Sequence, residues 1–203
     1  MHGTSPSGEE SGTHDLNGAP GRARRPSIRL EPWTDAPSGL ELLRLCNAPE
    51  MTAHLGGPES EEQLVARHRR YASMPGESAG RMYRVVLETD GTAVGTTGYW
   101  ESSRGEETAY ETGWGILPAY QGRGLASAAV AAVVAEARAA RGHRFLDAFP
   151  SVDNVPSNAV CRSNGFSLLG EYDVEYPKGS FMRSNIWRLD LDGAPPSGSG
   201  GTP

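Results

Sequence analysis

The chain has 203 residues, enough for one domain with a substantial core. Its 25 acidic residues outnumber its 19 Lys and Arg, for a formal net charge of −6. That balance argues against nucleic acid or an anionic membrane as partner and favours a cationic one, such as an amine. The two cysteines, Cys46 and Cys161, lack CxxC spacing and read as free thiols of a reducing cytoplasm, and the five histidines show no metal-ligand spacing, so no metal site is expected.

Residues 1–26 are rich in Gly, Ser, Pro and Glu, and residues 193–203 are of the same kind. Neither stretch carries enough apolar surface to offset chain entropy, so two disordered tails are expected around one domain at 27–192. The first tail has no apolar core of a signal peptide, and no run approaches the length of a membrane helix. Arg22, Arg24 and Arg25 read as a solvated linker.

Within the domain, Ile28 to Trp33 alternates as a strand and Ser38 to Asn47 has the spacing of a short amphipathic helix. Ser60 is placed to cap a helix over Glu61 to Ser73, with acids in its first turn and Arg69 and Arg70 in its last. Arg81 to Thr89 and Thr92 to Glu101 flank Asp90-Gly91, a strong hairpin signal. A loop at 102–106 follows, then a strand from Glu107 to Leu117 that Pro118 must end. Gly122 to Arg141 reads as a long Ala- and Val-rich helix stopped by Gly142. Arg144 to Phe149 reads as a buried strand, and Pro156 to Ser163 as a helix closed by Asn164-Gly165. Ser167 to Tyr176 and Phe181 to Leu191 read as two last strands joined at Pro177 to Ser180.

Gly122, Gly124 and Ala126 leave the first turn of the long helix bare. Its unpaired N–H groups and the positive end of its dipole suit a phosphate or pyrophosphate, although a bare helix start packed on a strand would show the same residues. Gln121, Gly124 and Ala126 resemble the (Gln/Arg)-x-x-Gly-x-(Gly/Ala) signature of the GNAT family of N-acetyltransferases. A second segment, Asn154, Ser157, Val160, Cys161, Gly165 and Phe166, resembles that family's Asn-x-x-(Ser/Ala)…Gly-Phe run at matching spacing. Gly113-Trp114 before Leu117-Pro118 looks most like the branch with ribosomal-protein N-terminal acetyltransferases. The resemblance covers about residues 28–192. It implies an α/β fold with a mixed sheet in the order β-α-α-β-β-β-α-β-α-β-β, splayed between the fourth and fifth strands.

The resemblance implies acetyl-CoA as acyl donor and direct transfer to an amine of a small molecule or a peptide N-terminus. It puts the pyrophosphate on Gly122, Arg123, Gly124, Leu125 and Ala126, with Gln121 in the same motif. It runs the pantetheine arm beside Ile116 and Leu117 and assigns Asn154 and Ser157 to the cofactor side. Glu111 is the candidate base, with Glu107 in reserve. Cys161 occupies the position where many members carry a tyrosine that protonates the leaving thiolate, which leaves water, Ser157, Tyr120, Tyr172 or Tyr176 as alternatives. Trp33, His54, Tyr71, Tyr99, Trp100, Tyr176 and Trp187 are candidate acceptor-lining residues, each also a core candidate. Glu171, Asp173 and Glu175 share a strand face, either solvated or gathering cations. The family also suggests a homodimer. Transfer of a longer acyl chain and a non-catalytic acyl-CoA sensor are the competing readings.

Overall fold

The computed structural model describes residues 27–104, 106–175 and 181–193. The expected tails, apart from Gly193, and Tyr176 to Ser180 lie outside the described residues. The elements are β1 (Ile28–Pro32), α1 (Pro37–Cys46), α2 (Pro49–Thr52), α3 (Glu61–Ala72), β2 (Gly80–Leu87), β3 (Ala93–Arg104), β4 (Glu107–Ile116), α4 (Leu125–Ala140), β5 (Phe145–Ala148), α5 (Val155–Ser163), β6 (Ser167–Glu175) and β7 (Phe181–Asp190). The seven strands form one mixed sheet in the order β1-β2-β3-β4-β5-β7-β6, the expected fold class.

The sheet is continuous up to β4 and splits after it. β3 and β4 pair over ten residues without a register shift. β4 and β5 run parallel and pair only at Tyr110↔Leu146 and Glu111↔Asp147. From Thr112 onward β4 therefore has a free edge, as the splayed architecture requires. The register passes Gly113 and Gly115 without a bulge; the sheet's irregularities lie at Val85/Val86 and Leu168/Gly170.

Alternation places Tyr110, Thr112, Trp114 and Ile116 of β4 toward α4 and Glu111, Gly113 and Gly115 on the opposite face. The apolar stripe of α4, Leu125, Ala129, Val130, Val133, Val134 and Ala137, packs against that first face. On the second face, α1 and α3 enclose a smaller core of Trp33, Leu42, Leu43, Leu64 and Met82. The α3 start carries the expected Ser60 cap, and Gln63 bonds back to Ser60 N–H to complete a capping box.

Two local expectations need correction. β3 runs on to Arg104 and β4 begins at Glu107, so most of the expected 102–106 loop is strand. Gly142 is not the left-handed stop of α4: Arg141 takes that conformation, at φ 53°. Gly142 is small for another reason, because a side chain there would collide with the Tyr110 hydroxyl and the Ser78 carbonyl. The Tyr110 hydroxyl donates to Ser78 O and accepts from Gly142 N–H, which ties the end of α4 to the sheet.

Candidate active site

The site begins where β4 leaves β3. Leu117 N–H donates to Val94 O at 2.8 Å. Counting back along the unbroken register, Gly115, Gly113 and Glu111 also turn their backbone groups toward β3. Trp114 and Ile116 turn theirs the other way, into the split. The Ile116 carbonyl is engaged by the Gln121 side chain, whose Nε2 donates at 2.8 Å. Gln121 thus pins the turn after β4 to the end of that strand. Leu117 is not part of the free edge: its N–H is held by Val94, and its carbonyl accepts from Tyr120 N–H. The edge consists of the Trp114 N–H and carbonyl and the Ile116 N–H.

A short 3-10 turn at Pro118–Tyr120 leads to α4. Gly122 and Gly124 both adopt left-handed backbone, at φ 73° and 76°, and nothing lies within 4 Å of where a side chain would start at either. Only glycine holds that conformation without strain. Gly124 is the N-cap, with no side-chain cap, and the first helical bond runs from Ala128 N–H to Gly124 O. The N–H groups of Leu125, Ala126 and Ser127 therefore have no helical acceptor. Leu125, 2% exposed, anchors this start against Val85, Val94 and Ile116. Arg123 is exposed at the rim; its Nη2 donates to Ala119 O at 3.0 Å and its guanidinium stands 5.5 Å from the Tyr120 ring. The two readings of the sequence meet here: Leu125 packs the helix on the sheet, while Gly122 and Gly124 leave the turn before it open.

Glu111 sits at the last β4–β5 pair, opposite Asp147 on β5 and Trp100 on β3. Burial raises its carboxyl above the ordinary value; the Ser102 and Trp100 side chains and the Arg104 charge oppose that, while the Asp147 charge adds to it. Asp147 is 3% exposed and fully engaged: Arg188 grips it with Nε and Nη2, both at 2.7 Å, and reaches Glu107 with Nη1 at 2.7 Å. Glu107 is thereby committed to an ion pair, whereas Glu111 has no ion-pair partner among the described residues.

On the other wall, Asn154 caps α5, its Oδ1 accepting from Ser157 N–H at 3.1 Å. Beside it lies a residue the sequence did not single out. Asn158, 3% exposed, donates to Ser151 O and Asn154 O and accepts from Asn185 Nδ2 and Trp187 Nε1. It welds α5 to β7 and fixes that wall. Ser157 is half-buried on the first turn of α5. Cys161 is fully buried in the main core, and burial pushes its thiol up to about 12. As placed, that thiol packs; it does not reach an open surface.

Of the aromatic candidates, Trp33, Tyr99 and Trp187 are core, and Trp33 meets Tyr71 edge-on at 5.3 Å. Trp100 is half-buried and lies against Gly113, whose lack of a side chain makes room for the indole. His54 is exposed on the segment after α2. The acid face of β6 is partly neutralised, since Arg183 pairs with both Glu171 and Asp173. Among the described residues no cluster of His, Cys, Asp or Glu has a metal-binding arrangement, and no helix is long and apolar enough to cross a membrane.

A split mixed sheet, with a free strand edge running into an uncapped helix start, offers backbone donors suited to an extended, phosphate-bearing ligand. Residues 27–167 match the family model described as acetyltransferase (GNAT) domain. The chain belongs to the GNAT acetyltransferase family, enzymes whose acyl donor is acetyl-CoA. Solved structures share the fold at low identity. An acetyltransferase of the GNAT family from Bacillus anthracis is 16% identical with a TM-score of 0.66, covering 82% of this chain and 96% of its own. The ribosomal L7/L12 alpha-N-protein acetyltransferase RimL, in complex with coenzyme A, is 20% identical with a TM-score of 0.66, covering 81% and 94%. An aminoglycoside acetyltransferase, also in complex with coenzyme A, is 19% identical with a TM-score of 0.64, covering 81% and 95%. No curated protein matches the chain in sequence.

Proposed function

We propose that this protein transfers an acetyl group from acetyl-CoA directly to a primary amine of a small molecule or a peptide N-terminus. The observation that carries this reading is the continuity of the β4 edge with the open start of α4. The amides of Gly122 to Ala126 hold the pyrophosphate with the helix dipole behind them, and Arg123 adds charge at the rim. Gln121 positions that loop from behind through the Ile116 carbonyl. The Trp114 and Ile116 backbone groups align the pantetheine arm, and one of their N–H groups faces the thioester carbonyl, where negative charge develops.

Acetyl-CoA supplies the activated acyl group. Glu111 takes the proton of the incoming ammonium, directly or through water, from the position where the sheet parts. Its raised carboxyl brings it closer to the working pH of a general base. Cys161 is read as packing, which leaves water, Ser157 or one of Tyr120, Tyr172 and Tyr176 to serve the departing thiolate. Asn154 is read as ordering the α5 wall rather than as a direct ligand. Two free cysteines suit a reducing compartment such as the cytoplasm.

RimL and the aminoglycoside enzyme have nearly equal TM-scores, so the fold does not choose between a peptide and a small-molecule acceptor. The test is release of free thiol from acetyl-CoA in the presence of polyamines, aminoglycosides, amino acids and N-terminal peptides, with products weighed by mass spectrometry. Amine-dependent thiol release with an acetylated product is expected. Tight coenzyme A binding without thiol release for any amine would instead make the protein a sensor.

A further inference from the structure

The paired ends of β3 and β4, at Arg104 and Glu107, contact the other half of the sheet. They reach across β5 to the far strands, where Glu107 meets Arg188 of β7 and Arg104 lies over two aromatic rings. The Arg104 guanidinium stands 4.1 Å from the Tyr172 ring centroid and 5.0 Å from that of Phe149. The two rings pack edge-on, 5.5 Å apart at 76°. Neighbouring arginines are matched by acids: Arg188 by Asp147 and Glu107, Arg183 by Glu171 and Asp173, Arg144 by Asp190. Arg104 is half-buried, yet no ion pair or hydrogen bond to a carboxylate holds it among the described residues.

Stacking on rings fixes a guanidinium plane but satisfies none of its N–H donors. A planar cation held this way offers its edge to a carboxylate, two N–H groups to two oxygens. The slot beneath it, lined by Ser102, Ala109, Asp147 and Phe149 among others, is about 10 Å³, room for about one water. An anion therefore docks at the mouth, on the Arg104 edge, and not in the slot. Glu111 belongs to the same neighbourhood: the Arg104 charge acts on its carboxyl, and the Tyr172 hydroxyl feels both charges. Among the described residues, the mouth of the split thus carries a carboxylate with no ion pair, Glu111, and beside it a cation with none, Arg104.

We infer that Arg104 receives a carboxylate of the acceptor, so that the preferred substrates are amines that also bear an acidic group, such as an amino acid or a peptide with an early acidic residue. This rests on the amine acetylation proposed above. The ammonium faces Glu111 and the carboxylate faces Arg104, which orients the amine toward the thioester.

Matched acceptors test it: β-alanine against β-alaninamide, and the peptide amide Ser-Glu-Ala against Ser-Gln-Ala. The readout is the ratio of kcat/KM within each pair, which cancels any general loss of folded enzyme. The wild type is expected to favour the carboxylate member by about tenfold or more. Arg104→Gln should bring the ratio to about one, and Arg104→Lys should keep part of it, since a point charge replaces a planar fork. A wild-type ratio near one, or a preference that survives Arg104→Gln, overturns the inference while leaving amine acetylation in place. Absence of acetylation for every member, with a polyamine or aminoglycoside still acetylated, overturns the inference alone; absence for every amine overturns both.

Discussion

Gly124→Glu is expected to weaken acetyl-CoA binding by about 100-fold or more, equivalent to about 2.7 kcal/mol. Three effects act in the same direction. The residue sits at φ 76°, where a side chain costs about 1–2 kcal/mol of backbone strain. The new carboxylate accepts from the helix N–H groups that the pyrophosphate would use. It also sets a negative charge where two phosphates belong, in front of a helix dipole that is then already compensated. Gly124→Ala carries the strain without the charge, so calorimetric titration of both variants separates the two contributions. The protein leaves the space around Gly124 open, so the new side chain meets no other part of the chain. Wild-type affinity in the glutamate variant would remove the pyrophosphate from this helix start.

Glu111→Gln is expected to lower kcat by about 10²–10⁴-fold with little change in the KM for acetyl-CoA. Glutamine keeps the shape and loses only the proton acceptor. The pH dependence follows from the raised carboxyl. The wild-type rate should climb as pH rises through the Glu111 pKa, because only the ionised form accepts a proton; in the variant that acid limb should flatten. The same shift makes a stability prediction of opposite sense. A carboxyl whose pKa is raised on folding stabilises the protein below its unfolded value, and that contribution is lost as pH rises through the folded value. At neutral pH the buried charge is a burden, so Glu111→Gln should raise Tm while abolishing most turnover. A fall in Tm with kcat intact would assign Glu111 a structural role instead.

Much of this was legible in the sequence because the elements around the site carry their own punctuation. Asp90-Gly91, Pro118, the Ser60 cap and Gly165 each mark a boundary through local backbone chemistry that tertiary packing did not override. The two glycines at 122 and 124 were informative for the same reason: they adopt left-handed backbone in open space. Gly142 shows the limit, since its smallness serves the distant Tyr110 hydroxyl and not the local chain. Asn158 and Arg104 were missed because their partners come from β7, from β6 and from Phe149 just after β5, and no spacing in the sequence announces those contacts. Asp147 did leave a signal: a carboxylate inside the run Phe145-Leu146-Asp147-Ala148-Phe149 must be paired if that strand is buried, and Arg188 supplies the pair. Leu117 could be taken off the ligand edge only once the Val94 bond set the hydrogen-bonding phase of the strand.

The most direct measurement is the structure of this protein crystallised with coenzyme A. Phosphate oxygens should lie on the amides between Gly122 and Ala126, with the pantetheine arm along Trp114 and Ile116 and its sulfur toward Glu111. Coenzyme A bound elsewhere, with those amides still facing solvent, would contradict the account.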